Sequence, residues 1–159
     1  RHPGKRIVRQ LVDVPQRVFP GGRLDKESTG VLLLTNDGRL HQTLSHPSFD
    51  HEKEYEVVVE RPIPDAALRR MAEGVEILDA RTRPARVTRL GERSFRIVLQ
   101  EGRNRQIRRM VRRVGNEVID LKRIRVAGIR LGRLPEGAWR HLTPEEVAAL
   151  QQPAPPPSD

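Results

Sequence analysis

The sequence predicts an α+β domain built on a mainly antiparallel sheet flanked by helices. Three stretches carry that expectation. In "EKEYEVVVE" (52–60), Tyr55, Val57 and Val59 fall on one face while Glu54, Glu56 and Glu60 share the other with Val58, the two-residue alternation of a half-buried strand. "ARVTRL" (85–90) and "SFRIVL" (94–99) read as paired strands joined through "GERS", with Phe95, Ile97 and Leu99 inward. "RNRQIRRMVRRVG" (103–115) reads as a helix stopped at Gly115, with Ile107, Met110, Val111 and Val114 gathered on its packing face.

The other elements follow in order. "RVFPGGRLD" (17–25) reads as a short strand entering a tight Gly-Gly segment, and "VLLLT" (31–35) as a strand buried on both faces. "NDG" (36–38) is a turn, and "GRLHQTLSH" (38–46) a short helix ended before Pro47. "IPDAALRRMAEG" (63–74) reads as a helix, with Asp65 near its start and Gly74 at its stop. "EVIDLKRIRVAGIRL" (117–131) is mainly strand. In "TPEEVAAL" (143–150), Thr143 is the expected N-cap and Pro144 opens the first turn, while Glu145 and Glu146 lie at the positive end of the dipole. The 159 residues are expected to form one domain over 1–150, followed by a proline-rich tail over 151–159 with nothing to bury, expected to be disordered.

Composition narrows the function. With no cysteine, neither disulfides nor thiolate metal sites are available, and the expected compartment is the reducing cytoplasm. No apolar run approaches the ~20 residues of a membrane span. The net charge is +9, and only four of the 30 basic residues are lysine. Arginine's planar fork suits phosphate, so nucleic acid is the first partner to consider. Arg105, Arg108, Arg109 and Arg112 spread over the side of the 103–115 helix opposite its packing face, with almost no nearby acid in the sequence. Such a face is either solvated, or it meets phosphates, or it turns one arginine inward to hold a carboxylate. Helical geometry alone does not select which arginine.

His41, His46 and His51 recur every five residues, which puts them on no common helix face, so no metal site is expected. No nucleophile elbow, phosphate loop or dinucleotide fingerprint occurs. Asp25, in "GRLDKESTG", is either a turn or capping residue or a working carboxylate. Tyr55 is either core or site.

Four motifs bear on that choice: "GRLDKESTGVLLLTNDG" (22–38), "KEYEV" (53–57), "EGRNRQIRRM" (101–110) and "LKRIRVAGIRLGRLPEGAWRHLT" (121–143). Together, in this order, they resemble the RNA pseudouridine synthases, in particular the small-subunit ribosomal type, with details of 59–75 and 104–110 leaning to the large-subunit branch. The resemblance implies the catalytic domain of an isomerase that converts uridine to pseudouridine in structured RNA, ribosomal RNA first and tRNA second, with no cofactor and no membrane partner, acting as a monomer. It assigns Asp25 as the catalytic carboxylate, nucleophile or base, with Arg108 holding it ionised, Tyr55 beside the target base and Leu121 packing near that base. Arg23 would fill the gap left by a flipped uridine or meet backbone, and Arg103, Arg105, Arg109 and Arg112 would contact RNA. The rival classes are a non-catalytic RNA-binding module of the ribosome, which leaves Asp25 and Tyr55 without roles, and a DNA-binding protein, for which no recognition motif is present. Members of the family often open with an S4-type RNA-binding domain and a strand containing Lys-Pro and Gly; the chain shows neither before "GRLD", and Gly21 stands where an apolar residue is usual.

Overall fold

A computed structural model describes residues 19–21, 28–35, 51–103, 105–134 and 140–152. Asp25, Arg23 and the expected helix over 38–46 lie outside the described residues. The elements, in chain order, are β1 (Phe19–Gly21), β2 (Thr29–Gly30), β3 (Leu33–Thr35), β4 (Lys53–Val59), α1 (Asp65–Glu73), β5 (Glu76–Ile77), β6 (Ala80–Arg81), β7 (Arg86–Gly91), β8 (Ser94–Leu99), α2 (Gln106–Arg113), β9 (Val118–Val126), β10 (Ile129–Arg130) and α3 (Pro144–Gln151).

The central sheet runs β10-β9-β4-β8-β7, antiparallel throughout, and β2 joins the outer edge of β9 in parallel. Its inner face is the one the alternation predicts. Val57, Val59, Phe95, Ile97, Leu99 and Leu121 are buried there, with Ala67, Leu68 and Met71 of α1 and Ile107, Met110 and Val111 of α2 packed into the same cluster. Phe95 is wholly enclosed, at 0% exposure, so truncating it to alanine would leave a cavity costing about 3–5 kcal/mol. The outer face carries charge in cross-strand pairs: Arg96 donates to Glu56 and Arg125 to Glu54.

A second, smaller core joins Val31 and Leu33 to Val126, Ile129 and Leu150. It is closed by α3, whose N-terminus is built as expected. Thr143 Oγ1 accepts from Glu146 N at 3.1 Å, the Glu146 carboxylate accepts from Thr143 N at 2.8 Å, and Pro144 follows the cap. Gln151 still belongs to this helix, and the Gln152 carbonyl lies 2.9 Å from His51 Nε2. The contact with His51 thus holds the end of α3 at Gln152.

Two local expectations change, and one further element, β5–β6, has no counterpart in the sequence reading. The "VLLLT" run is not one strand. Gly30, at φ +114°, ends the pairing with β9, and Leu33–Thr35 pair instead with β1, so the segment passes between two sheets. Residues 75–82 form a hairpin, β5–β6, turned by Leu78 in the left-handed region (φ 53°). The arginine helix starts at Gln106, because Arg105 at its N-cap is left-handed (φ 48°). No described helix is long and apolar enough to cross a membrane.

Candidate functional site

The site is assembled on the inner face where β2, β4, β9 and α2 converge. Tyr55 lies on β4, half-buried against the main core, opposite Ile97 on one side and Arg123 on the other. Leu121 is buried two residues before Arg123 on β9, opposite Val57. As paired residues of a pleated sheet share a face, Tyr55, Leu121 and Arg123 all face inward.

Arg108, third in α2, is half-buried, and its Nη2 lies 3.4 Å from Ser28 Oγ, which accepts. Ser28 is itself buried, three residues after Asp25 in the chain. Three residues extend at most ~11 Å. A guanidinium beside Ser28 is therefore within reach of the segment that carries the aspartate. Arg108 thus turns inward at this edge, a choice that helical geometry alone could not make.

Buried Gln106 ties the start of α2 to Arg103 and Glu101. Its Oε1 accepts from Arg103 N at 3.1 Å, and its Nε2 donates to Glu101 Oε2 at 2.9 Å. Arg103 in turn donates from Nη2 to the carbonyls of Ile77 (2.6 Å) and Ala80 (3.2 Å), gripping the β5–β6 turn from both sides. Arg112 pairs with Glu117, its Nε 3.2 Å from Oε1. The arginine face thus has more acid than the local sequence suggests, because Glu117 lies beyond the helix. Arg105 occupies the N-cap position and Arg109 is half-buried.

Sequence reasoning missed Arg123. It is only 3% exposed, and its Nε and Nη2 donate to Val31 O at 2.9 and 2.6 Å. Its own carbonyl accepts from Val31 N at 2.9 Å. The signal available was the two-residue spacing from Leu121, which puts Arg123 on the apolar face of an otherwise arginine-rich strand. Gly30 was quoted within a motif, and its requirement is now physical: a Cβ there would collide with the Arg123 carbonyl oxygen and lie 2.6 Å from the Arg123 nitrogen.

A family model described as RNA pseudouridylate synthase matches residues 2–113, more than half of the chain. The chain belongs to the RNA pseudouridylate synthase family. Among curated relatives of this family member, the dual-specificity RNA pseudouridine synthase RluF of Escherichia coli K12 is 45% identical over 140 residues, covering 88% of this chain and 48% of RluF. Ribosomal large subunit pseudouridine synthase B of Bacillus subtilis is 38% identical over 155 residues, covering 93% of this chain and 64% of the relative. A crystal structure of a pseudouridylate synthase superposes with a TM-score of 0.83 at 32% identity, covering 90% of this chain and 64% of that one. The α+β architecture is therefore that of a pseudouridylate synthase. The chain spans about half the length of the RluF sequences it matches.

Proposed function

We propose that the protein isomerises specific uridines to pseudouridine in structured RNA, with ribosomal RNA as the substrate and tRNA as the alternative. The reaction breaks the N1–C1′ bond, turns the base and forms the C5–C1′ bond; C5 loses a proton and N1 gains one, so atoms balance without a co-reactant. In this reading Asp25 supplies the carboxylate at the sugar, as nucleophile or base. Arg108 holds that carboxylate charged, since an enclosed carboxyl otherwise drifts to its neutral form. Tyr55 lies against the flipped base, with Leu121 behind it.

One observation carries the reading: Arg108 turns in to Ser28, three residues from Asp25, on the same face of the sheet as Tyr55. A non-catalytic RNA-binding module has no use for such an inward arginine. Arg23, Arg105 and Arg109, with Arg103 and Arg112 after release from their internal partners, would contact RNA backbone. The protein acts in the cytoplasm as a monomer in this reading.

Tritium release from C5-labelled uridine in ribosomal RNA tests it. Wild type releases label, and Asp25→Asn binds the RNA but releases none. A folded Asp25→Asn variant with near-normal release would overturn the assignment, and an inactive wild type that still binds RNA would favour the binding module.

A further inference from the structure

We infer that Arg123 is a positioning residue that holds the strand behind Asp25 in register with the strand carrying Tyr55. The inference builds on the reading that Asp25 is the catalytic carboxylate. Both backbone polar groups of Val31 are committed to this one residue: the Val31 N–H donates to the Arg123 carbonyl at 2.9 Å, and the Val31 carbonyl accepts from Arg123 Nε and Nη2 at 2.9 and 2.6 Å. On its other side Arg123 is the cross-strand partner of Tyr55, and Gly30 pairs directly with it. Arg123 thus pairs with β2 and β4 through its backbone and holds the residue after β2 with its side chain.

The need for such a link follows from topology. β2 is two residues long and, among the described residues, pairs only with β9. Two ladder positions hold a strand weakly, and a parallel ladder is the less stable kind. The Val31 N–H makes the last backbone bond to β9, and beyond it the segment leaves the central sheet for β1. The guanidinium fork extends the hold by one residue at the point of departure. It does so with two charge-assisted donors in a dry setting, where such bonds are strong and their loss is costly. Because Asp25 is tethered through Ser28 to this clamp, a loosened Val31 displaces the carboxylate relative to Tyr55. Misplacement of about 1 Å costs up to ~100-fold in rate.

Arg123→Met keeps the length and removes the donors; Arg123→Lys keeps the charge and loses the fork. Two readouts are taken on the whole chain. The first is single-turnover tritium release with saturating RNA, normalised to folded protein. We expect Arg123→Met to fall by roughly tenfold or more, with RNA affinity unchanged and partial rescue in Arg123→Lys. The second needs no substrate: amide exchange at Val31 in the free protein should speed up by roughly tenfold, while Val57 and Phe95 keep their protection. A merely structural role would lower the folded fraction and speed exchange everywhere, leaving the rate per folded molecule alone. Unchanged Val31 exchange in either variant overturns the inference, even if the enzyme proves inactive on RNA. Faster exchange with a wild-type rate per folded molecule also overturns it, since the clamp would then have no catalytic consequence.

Discussion

Arg125 Nε donates to Glu54 Oε1 at 2.8 Å on the outer face of the sheet, and each side chain is 12% exposed. Burial alone would raise the Glu54 carboxyl above its ordinary 4.5, but the Arg125 hydrogen bond and the charges of Arg125, Arg130 and Arg96 outweigh it and the net shift is downward. Arg125 also reaches Glu52 at 3.2 Å, so one guanidinium ties two carboxylates on the strand that carries Tyr55.

Glu54→Ala should therefore destabilise the fold by about 1–3 kcal/mol at neutral pH, since it removes one of the two carboxylates that pair with a largely buried guanidinium. A carboxyl lowered in the folded state contributes stability above its unfolded value of 4.5, and that contribution is lost as pH falls through the lower folded value. The gap between wild type and Glu54→Gln in urea melts should narrow below pH 4.5. A gap that stays constant down the acid range would show that the pair does not set this dependence.

The cap of α3 makes a second case. Arg140 donates to both carboxylate oxygens of Glu146 at 2.9 Å, and this bond, with the backbone bond to Thr143, brings the Glu146 carboxyl down to about 2. Thr143→Ala should cost about 1 kcal/mol, read as a lower thermal midpoint. The stabilising share of Glu146 is complete above pH 4.5 and lost as pH falls through about 2. Thermal melts of wild type and Glu146→Gln should converge over that interval.

Arg108 and its neighbour Arg109 separate by about 100° around α2. If Arg108 serves the carboxylate, Arg108→Ala should lower the isomerisation rate by ~100-fold or more, with Arg108→Lys only partly restored, because a point charge does not reproduce the fork. Arg109→Ala should stay within roughly tenfold, its loss showing mainly in RNA affinity and salt dependence. Tritium release on a single RNA substrate decides between them. Greater damage from Arg109→Ala would transfer the role to that residue.

Much of this fold is legible in sequence because its elements are locally specified. The alternation of Tyr55, Val57 and Val59, the β7–β8 pair, and the caps at Gly74 and Thr143 each follow from neighbours within a few residues. What escapes has no local signature. The parallel pairing of β2 with β9 joins residues about ninety apart, and nothing in "STG" announces its partner. The β5–β6 hairpin turns on Leu78 without a glycine at the bend, and its strands are two residues long, below any periodicity. In the candidate site, Arg108 was named by resemblance and its inward contact by geometry. Arg123 stayed hidden because an arginine in a strand of arginines looks like surface until its face of the sheet is known. Arg112 looked unopposed because its carboxylate partner comes from past the end of the helix.

The clamp between Val31 and Arg123 spans 92 residues of chain, and α3 seals the same region with Leu150. Such distant pairings form late and slowly, because a long loop must close before they gain anything. During synthesis from the N-terminus, the segment following Asp25 has no docking strand until β9 has left the ribosomal exit tunnel. Val31 thus emerges well before the strand that clamps it. A product cut short before β9 would keep Thr29–Val31 with no sheet edge to organise them.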